Sequence, residues 1–145
     1  MTLAVLNGIK AAFDDDGTLQ DWAQTSYGAA FTTSVGAKVH SGDAYPRAHV
    51  LFVSREYEIE TPFNNTQQRK KERYEIYYTI NESNTDLIDQ RLTELEDHFE
   101  RIFYADPTIG AVVTDNRLLT TELDEENDSN AYPSRILTLE IELEN

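Results

Sequence analysis

Apolar residues recur at helical spacing between residues 84 and 104, which is the clearest periodic segment of the chain. They fall three or four positions apart and therefore share one face of a helix: Ile88, Leu92, Leu95, Phe99, Ile102 and Phe103. Asn84 or Thr85 is expected to cap the first turn, because a side-chain oxygen there can accept an unpaired backbone N–H. Asp106 precedes Pro107 and ends the helix, since that position is disfavoured in helical conformation. Asp97 and Arg101 are spaced to form an i,i+4 ion pair on its surface.

Alternating apolar and polar positions predict strands on both sides of that helix, over 48–61, 72–81, 111–123 and 134–144. The last strand has the strictest alternation, with Leu137, Leu139, Ile141 and Leu143 on one face. In the first strand, the odd positions (Leu51, Val53, Tyr57 and Ile59) are expected to form the buried face. A half-buried alternation of this kind is typical of an antiparallel sheet with one face covered.

The N-terminal third gives a weaker pattern. Leu3, Leu6, Ile9 and Phe13 predict a helix over 2–13, in which Gly8 is an unfavourable residue. Residues 18–43 show no clear period, so no element is assigned there. We therefore expect one α+β domain over 1–145: an antiparallel sheet of about four strands, with one face covered by the central amphipathic helix and the N-terminal helix. A hairpin arm at 62–71 and an acidic loop at 124–133 are expected to extend from it.

Composition narrows the possible functions. The chain of 145 residues is 39% hydrophobic and contains no cysteine, which excludes disulfides, Cys-type zinc sites and thiol catalysis. No apolar run is long enough to span a membrane, so no membrane association is expected. The 27 acidic and 12 basic residues give a net charge of −15, which argues against a protein that grips nucleic-acid phosphates.

The basic residues are mostly arginine, with lysine only at Lys10, Lys38, Lys70 and Lys71. A large acidic surplus with few lysines is typical of proteins from high-salt cytoplasms, where screening mutes self-repulsion. One hypothesis is therefore a halophilic source or one of its viruses. The alternative is an acidic protein without that adaptation.

A search for catalytic patterns gives none. His40, His49 and His98 are not spaced to form a helical metal pair. Phosphate-binding loops, nucleophile elbows and dinucleotide fingerprints do not occur. We therefore predict no catalytic residue, no metal and no cofactor, and we expect a protein that is not an enzyme.

Three segments together resemble the tail terminator proteins of long-tailed phages and related archaeal viruses. The amphipathic helix is followed by the turn Asp106-Pro107-Thr108-Ile109-Gly110, a strand, an insert and an alternating closing strand that includes 135–141. Pro46-Arg47-Ala48-His49-Val50, which enters a strand, is similar to the first strand of that family. The resemblance covers most of 46–144.

This resemblance implies a structural virion protein that forms a homohexameric ring. Such a ring caps the tail tube, stops its polymerisation and joins it to a head–tail connector or head-closure protein. DNA passes through it without specific binding, and no cofactor is needed. The implied location is the tail neck of the virion, assembled in the host cytoplasm. Alternatives are another neck protein (head-closure or tail-completion) and a small cellular protein-binding module; an enzyme that uses carboxylates ranks last.

Two sets of residues are candidates for the contacts of such a ring. The oligomer or tube interface is expected at the hairpin tip, its basic shoulder and an exposed turn residue: Phe63, Asn64, Asn65, Gln67, Gln68, Arg69, Lys70, Lys71 and Ile109. A local basic cluster in so acidic a chain can meet acidic groups of a neighbour. The acidic loop, which includes Asp124, Glu125, Glu126 and Asp128, is expected to line a lumen that repels DNA.

Overall fold

In the part of the chain that the structure describes, five strands form one mixed sheet, and three helices pack on it. The computed structural model describes residues 2–36, 44–59, 68–124 and 132–144. In chain order the elements are α1 (Thr2–Asp14), α2 (Gly17–Tyr27), β1 (Thr32–Val35), β2 (Arg47–Ile59), β3 (Gln68–Thr79), α3 (Thr85–Ala105), β4 (Asp115–Leu123) and β5 (Ser134–Glu144). The sheet order is β1-β2-β3-β5-β4; β1 pairs with β2 in parallel, and every other pair is antiparallel. The predicted α+β class is confirmed.

The central helix α3 is built as its sequence indicates. Asn84 is the N-cap, and its Oδ1 accepts a hydrogen bond from the Asp86 backbone N–H at 3.1 Å. Its buried residues are Leu92, Leu95, Phe99, Ile102 and Phe103. The expected Asp97–Arg101 pair is wrong, because Arg101 reaches instead to Asp16 at the start of α2, at 2.7 Å. That contact ties two helices together, which a local pair does not.

Strands β3 and β5 provide the sheet side of the hydrophobic core. Tyr74, Ile76 and Tyr78 of β3 are fully buried, and Leu139 lies opposite Tyr74 on β5. The Tyr78 ring packs edge-to-face on Phe99 of α3, with centroids 5.3 Å apart. The alternation predicted for both strands is confirmed, and it fixes which face of the sheet the helices cover.

Strand β2 does not follow the predicted alternation. Ala48 and Val50, at even positions, are fully buried, whereas Val53 and Tyr57 are 48% and 54% exposed. The register places Val50 opposite the buried Ile76, and it shifts between Phe52 and Ser54. Both faces of this segment carry apolar residues, so alternation alone did not identify the buried face. The prediction that the odd positions are buried was wrong.

Two elements occupy the unassigned N-terminal region. Helix α2 starts at an Asp16 cap, which accepts from the Leu19 N–H at 2.8 Å, and ends at Gly28 with φ 66°. Its core contribution is small, with only Leu19 and Ala23 buried, which explains the missing period. In the described part of the chain, no helix is long and apolar enough to cross a membrane.

Candidate functional site

The predicted hairpin tip is only partly described. Phe63, Asn64, Asn65 and Gln67 lie outside the described residues. Gln68 begins β3, so the basic shoulder belongs to a strand and not to a loop. This corrects the predicted start of the strand at residue 72.

The basic residues of β3 divide between the two faces of the sheet, as alternation requires. Arg69, Lys71 and Arg73 lie on the open face, defined here as the sheet face opposite the helices. Lys70 lies on the other face, where its Nζ is 6.0 Å from the centroid of the Tyr57 ring. The predicted cluster is therefore not one patch.

Carboxylates of neighbouring strands pair with these cations on the open face. Lys71 Nζ is 3.0 Å from Glu58 of β2, and Arg69 is 3.8 Å from Glu142 of β5. The hydrogen bond with Glu58 raises the pKa of Lys71. Such exposed cross-strand pairs are screened by solvent, so they order the side chains more than they stabilise the fold.

Glu140 of β5 lies between two arginines. Its Oε2 is 3.5 Å from Arg73 Nε on β3, and its Oε1 accepts from Arg117 Nη2 on β4 at 2.8 Å. The Glu140 side chain is only 12% exposed, whereas Arg73 and Arg117 are 55% and 68% exposed. At this point the open face therefore presents arginine to solvent and shields the carboxylate. We call Arg69, Lys71, Arg73 and Arg117 the cationic rows.

Ile109 is not an exposed turn residue. It is 2% exposed, and its Cγ2 and carbonyl O approach within 3.2 and 3.3 Å of the position that a Cβ on Gly8 would take. Ile109, Gly110 and Ala111 all have positive φ (50°, 68° and 64°). Asp106 holds the turn, because its Oδ2 accepts from the Gly110 N–H at 2.7 Å, and this hydrogen bond lowers the pKa of the Asp106 carboxyl. The predicted exposure of Ile109 was wrong, since the turn aims it at α1.

Of the four acidic residues predicted in the loop, Asp124 is described; Glu125, Glu126 and Asp128 lie outside the described residues. The Asp124 backbone N–H donates to the Ser134 carbonyl at 3.2 Å. This hydrogen bond places the start of the loop at the end of the β4–β5 hairpin.

Sequence reasoning did not identify a second acidic surface, on α3. Asp86, Asp89, Asp97 and Glu100 are all exposed and lie on the side of the helix away from its buried stripe. Asp89 accepts from Arg135 at 2.9 Å. Among the described residues, Asp86, Asp97 and Glu100 make no ion pair. We call these four residues the acidic ridge. The signal available in the sequence was their position away from the apolar stripe of the helix, with i,i+3 spacing between Asp86 and Asp89 and between Asp97 and Glu100.

The polar groups between α2 and α3 form a hydrogen-bonded network. Trp22 Nε1 donates to Glu94 at 2.8 Å, and Arg91 donates to the same carboxylate at 3.2 Å and to Ser26 at 3.3 Å. Burial opposes ionisation of Glu94, but these hydrogen bonds outweigh it and lower its pKa. This network orders the helix layer behind the acidic ridge.

The described histidines are engaged in packing contacts. His49 Nδ1 is 2.7 Å from Ser34 Oγ, which links β2 to β1. His98 packs beside Trp22, and burial lowers its pKa. Within the described ranges, no three His, Asp or Glu side chains are grouped so that they could hold a metal ion.

Comparison with protein-family models finds no family that matches this chain, and comparison with curated proteins finds no match either.

Proposed function

We propose that this protein is a tail terminator: a structural protein whose copies form a ring on the end of a tail tube, stop tube growth and join the tube to the head connector. The observation that carries the proposal is the segment from α3 to β5. Its helix, its Asp106 turn and its closing strand are the features that resemble that family.

The Asp106 turn supports the proposal through its backbone. A β-branched residue at positive φ, as Ile109 is, is a rare and costly conformation. Such strain persists only where surrounding structure enforces it, and it occurs most often at functional positions. Here the Asp106 turn determines where the chain leaves α3 and enters the β4–β5 hairpin. The turn that resembles the family motif therefore has a definite structural role.

The open face supports the proposal through its chemistry. Its cations and carboxylates are ordered by cross-strand pairing and partly exposed, which suits contact with another protein surface. Charged and polar groups of this kind set the register and specificity of an interface more than its affinity. The net charge of −15 suits a ring through which DNA passes without binding, because like charges repel phosphate.

A tube-growth assay tests the function directly. The tail tube protein of the same virus is polymerised with and without this protein, and tube lengths are measured by negative-stain electron microscopy. We expect short tubes with a ring at one end. Tubes of unchanged length without end density contradict the terminator function. Binding to the head connector alone, in a parallel sample that contains it, favours another neck protein.

A further inference from the structure

His98 lies between α2 and α3, where its ring accepts a hydrogen bond from an arginine. Arg101 Nη2 is 3.1 Å from His98 Nδ1. A guanidinium group has N–H donors and no acceptor, so Nδ1 must accept. Only the neutral ring with its proton on Nε2 leaves a lone pair on Nδ1. The neutral form of His98 is therefore the form that fits this contact.

Arg101 uses the same nitrogen to hold the start of α2. Its Nη2 donates to Asp16 Oδ1 at 2.7 Å, and its Nη1 donates to Asp16 Oδ2 at 3.0 Å. Asp16 is the N-cap of α2. Each Nη of a guanidinium carries two hydrogens, so one hydrogen of Nη2 points to Asp16 and the other to His98. The neutral ring thus fixes the orientation in which the guanidinium meets the carboxylate.

Charged groups from both helices face the His98 ring. Burial of the ring and the charge of Arg101 on α3 oppose its protonation; Asp16 at the start of α2, with Asp97 and Glu94 on α3, favours it. Burial is the largest of these effects and lowers the pKa of His98 below its ordinary value of 6.5. The stability that the neutral ring contributes is therefore present above the unfolded-state pKa and is lost as pH falls through the folded-state pKa.

We propose that His98 is a pH-sensitive switch between α2 and α3. The neutral ring accepts from Arg101 and supports the pair that holds the start of α2. In mild acid the ring gains a proton, both of its nitrogens become donors, and the acceptor that faces Arg101 is lost. Two cations then face each other, so Arg101 is displaced and the start of α2 loosens. The switch lies within one chain and does not depend on the proposed function.

The single tryptophan of the chain reports this change. Trp22 on α2 packs against His98, with ring centroids 5.8 Å apart, and a charged imidazole ring quenches indole emission. We expect the emission to fall in one step as pH decreases, with a midpoint below 6.5. Over the same range, the hydrogen-exchange protection factor of the Gln20 amide, which donates to the Asp16 carbonyl, should fall about three- to tenfold, as for one lost hydrogen bond. An emission step without loss of protection contradicts the switch.

Three variants separate His98 from other titrating groups. His98→Gln keeps an acceptor for Arg101 that does not titrate, so the emission step and the loss of protection should both disappear; persistence of either overturns the proposal. Asp97→Asn removes a carboxylate that favours the charged ring, so the midpoint should move to lower pH. Asp86→Asn is the matched control, because it makes the same change about 18 Å away along α3, where physiological salt screens the charge. Equal midpoints in the two Asp→Asn variants would contradict the position that the structure gives the titrating ring.

Discussion

Glu72 is a carboxylate with a fully buried side chain on the helix-facing side of β3. Arg55 Nε donates to its Oε2 at 2.5 Å, and the Tyr74 hydroxyl donates to its Oε1 at 2.9 Å. Arg55 remains 28% exposed. A buried charge is tolerated only when it is paired and hydrogen-bonded, so this group of three residues acts as a unit.

Replacing Glu72 with Gln should lower the free energy of unfolding by about 3 kcal/mol, because it leaves the Arg55 charge without its buried partner. Urea denaturation measures the effect. Glu58→Gln is the matched control on the open face of β2; its carboxylate is 42% exposed, and its loss should cost less than about 1 kcal/mol. Equal losses for the two variants would show that burial of Glu72 is not what makes its pairing important.

The turn at residues 106–110 was predicted from the sequence, but the direction of its Ile109 side chain was not. Asp-Pro and the following Gly indicate a turn, and they place it correctly. They do not indicate which way Ile109 points, because that depends on the close approach of Gly8 from another helix. The role of Gly8 was not predicted either. Glycine is an unfavourable residue within the helix α1, but its lack of a side chain leaves room for the turn.

The elements with a strict period were predictable, and those that rely on distant contacts were not. The stripe of α3 and the alternation of β5 each contain enough core residues to define one face. Helix α2 buries only Leu19 and Ala23, and its start is held by Arg101 of α3, which pairs with the N-cap Asp16. The pairs of Arg69 with Glu142 and of Arg73 with Glu140 were not predicted either, because they depend on β5 lying beside β3, 60 or more residues later in the chain.

Asp16 connects elements in a way that depends on pH. The Arg101 hydrogen bond lowers the pKa of the Asp16 carboxyl below its model-compound value of 3.8. A group with a lowered folded-state pKa stabilises the fold above its unfolded pKa, and this contribution is lost as pH falls through the folded pKa.

Asp16→Asn keeps a good N-cap for α2 but removes the charge that holds Arg101. We expect it to lower the free energy of unfolding near pH 7 by about 1 kcal/mol and to have a smaller effect at acid pH, because the wild-type carboxyl gains a proton as pH falls. Urea titrations at both pH values provide the test. The same loss at both would mean that Asp16 acts through capping alone.

Salt should stabilise the whole molecule. The excess carboxylates behind the net charge of −15 repel one another in the folded chain. The exposed acidic ridge concentrates part of that charge on one side. Screening weakens this repulsion as ionic strength rises. A thermal melt series from low to several molar salt should therefore show a rising Tm. A flat series would argue against a halophilic source.

The central claim concerns the assembled molecule, and its copy number is the quantity to measure. Native mass spectrometry, with negative-stain images of the same sample, should be recorded in low and in molar salt, with and without tail tube protein. The terminator account predicts a closed ring of six times the 16.6 kDa chain mass, alone or on tube ends. A monomer under every one of these conditions contradicts it.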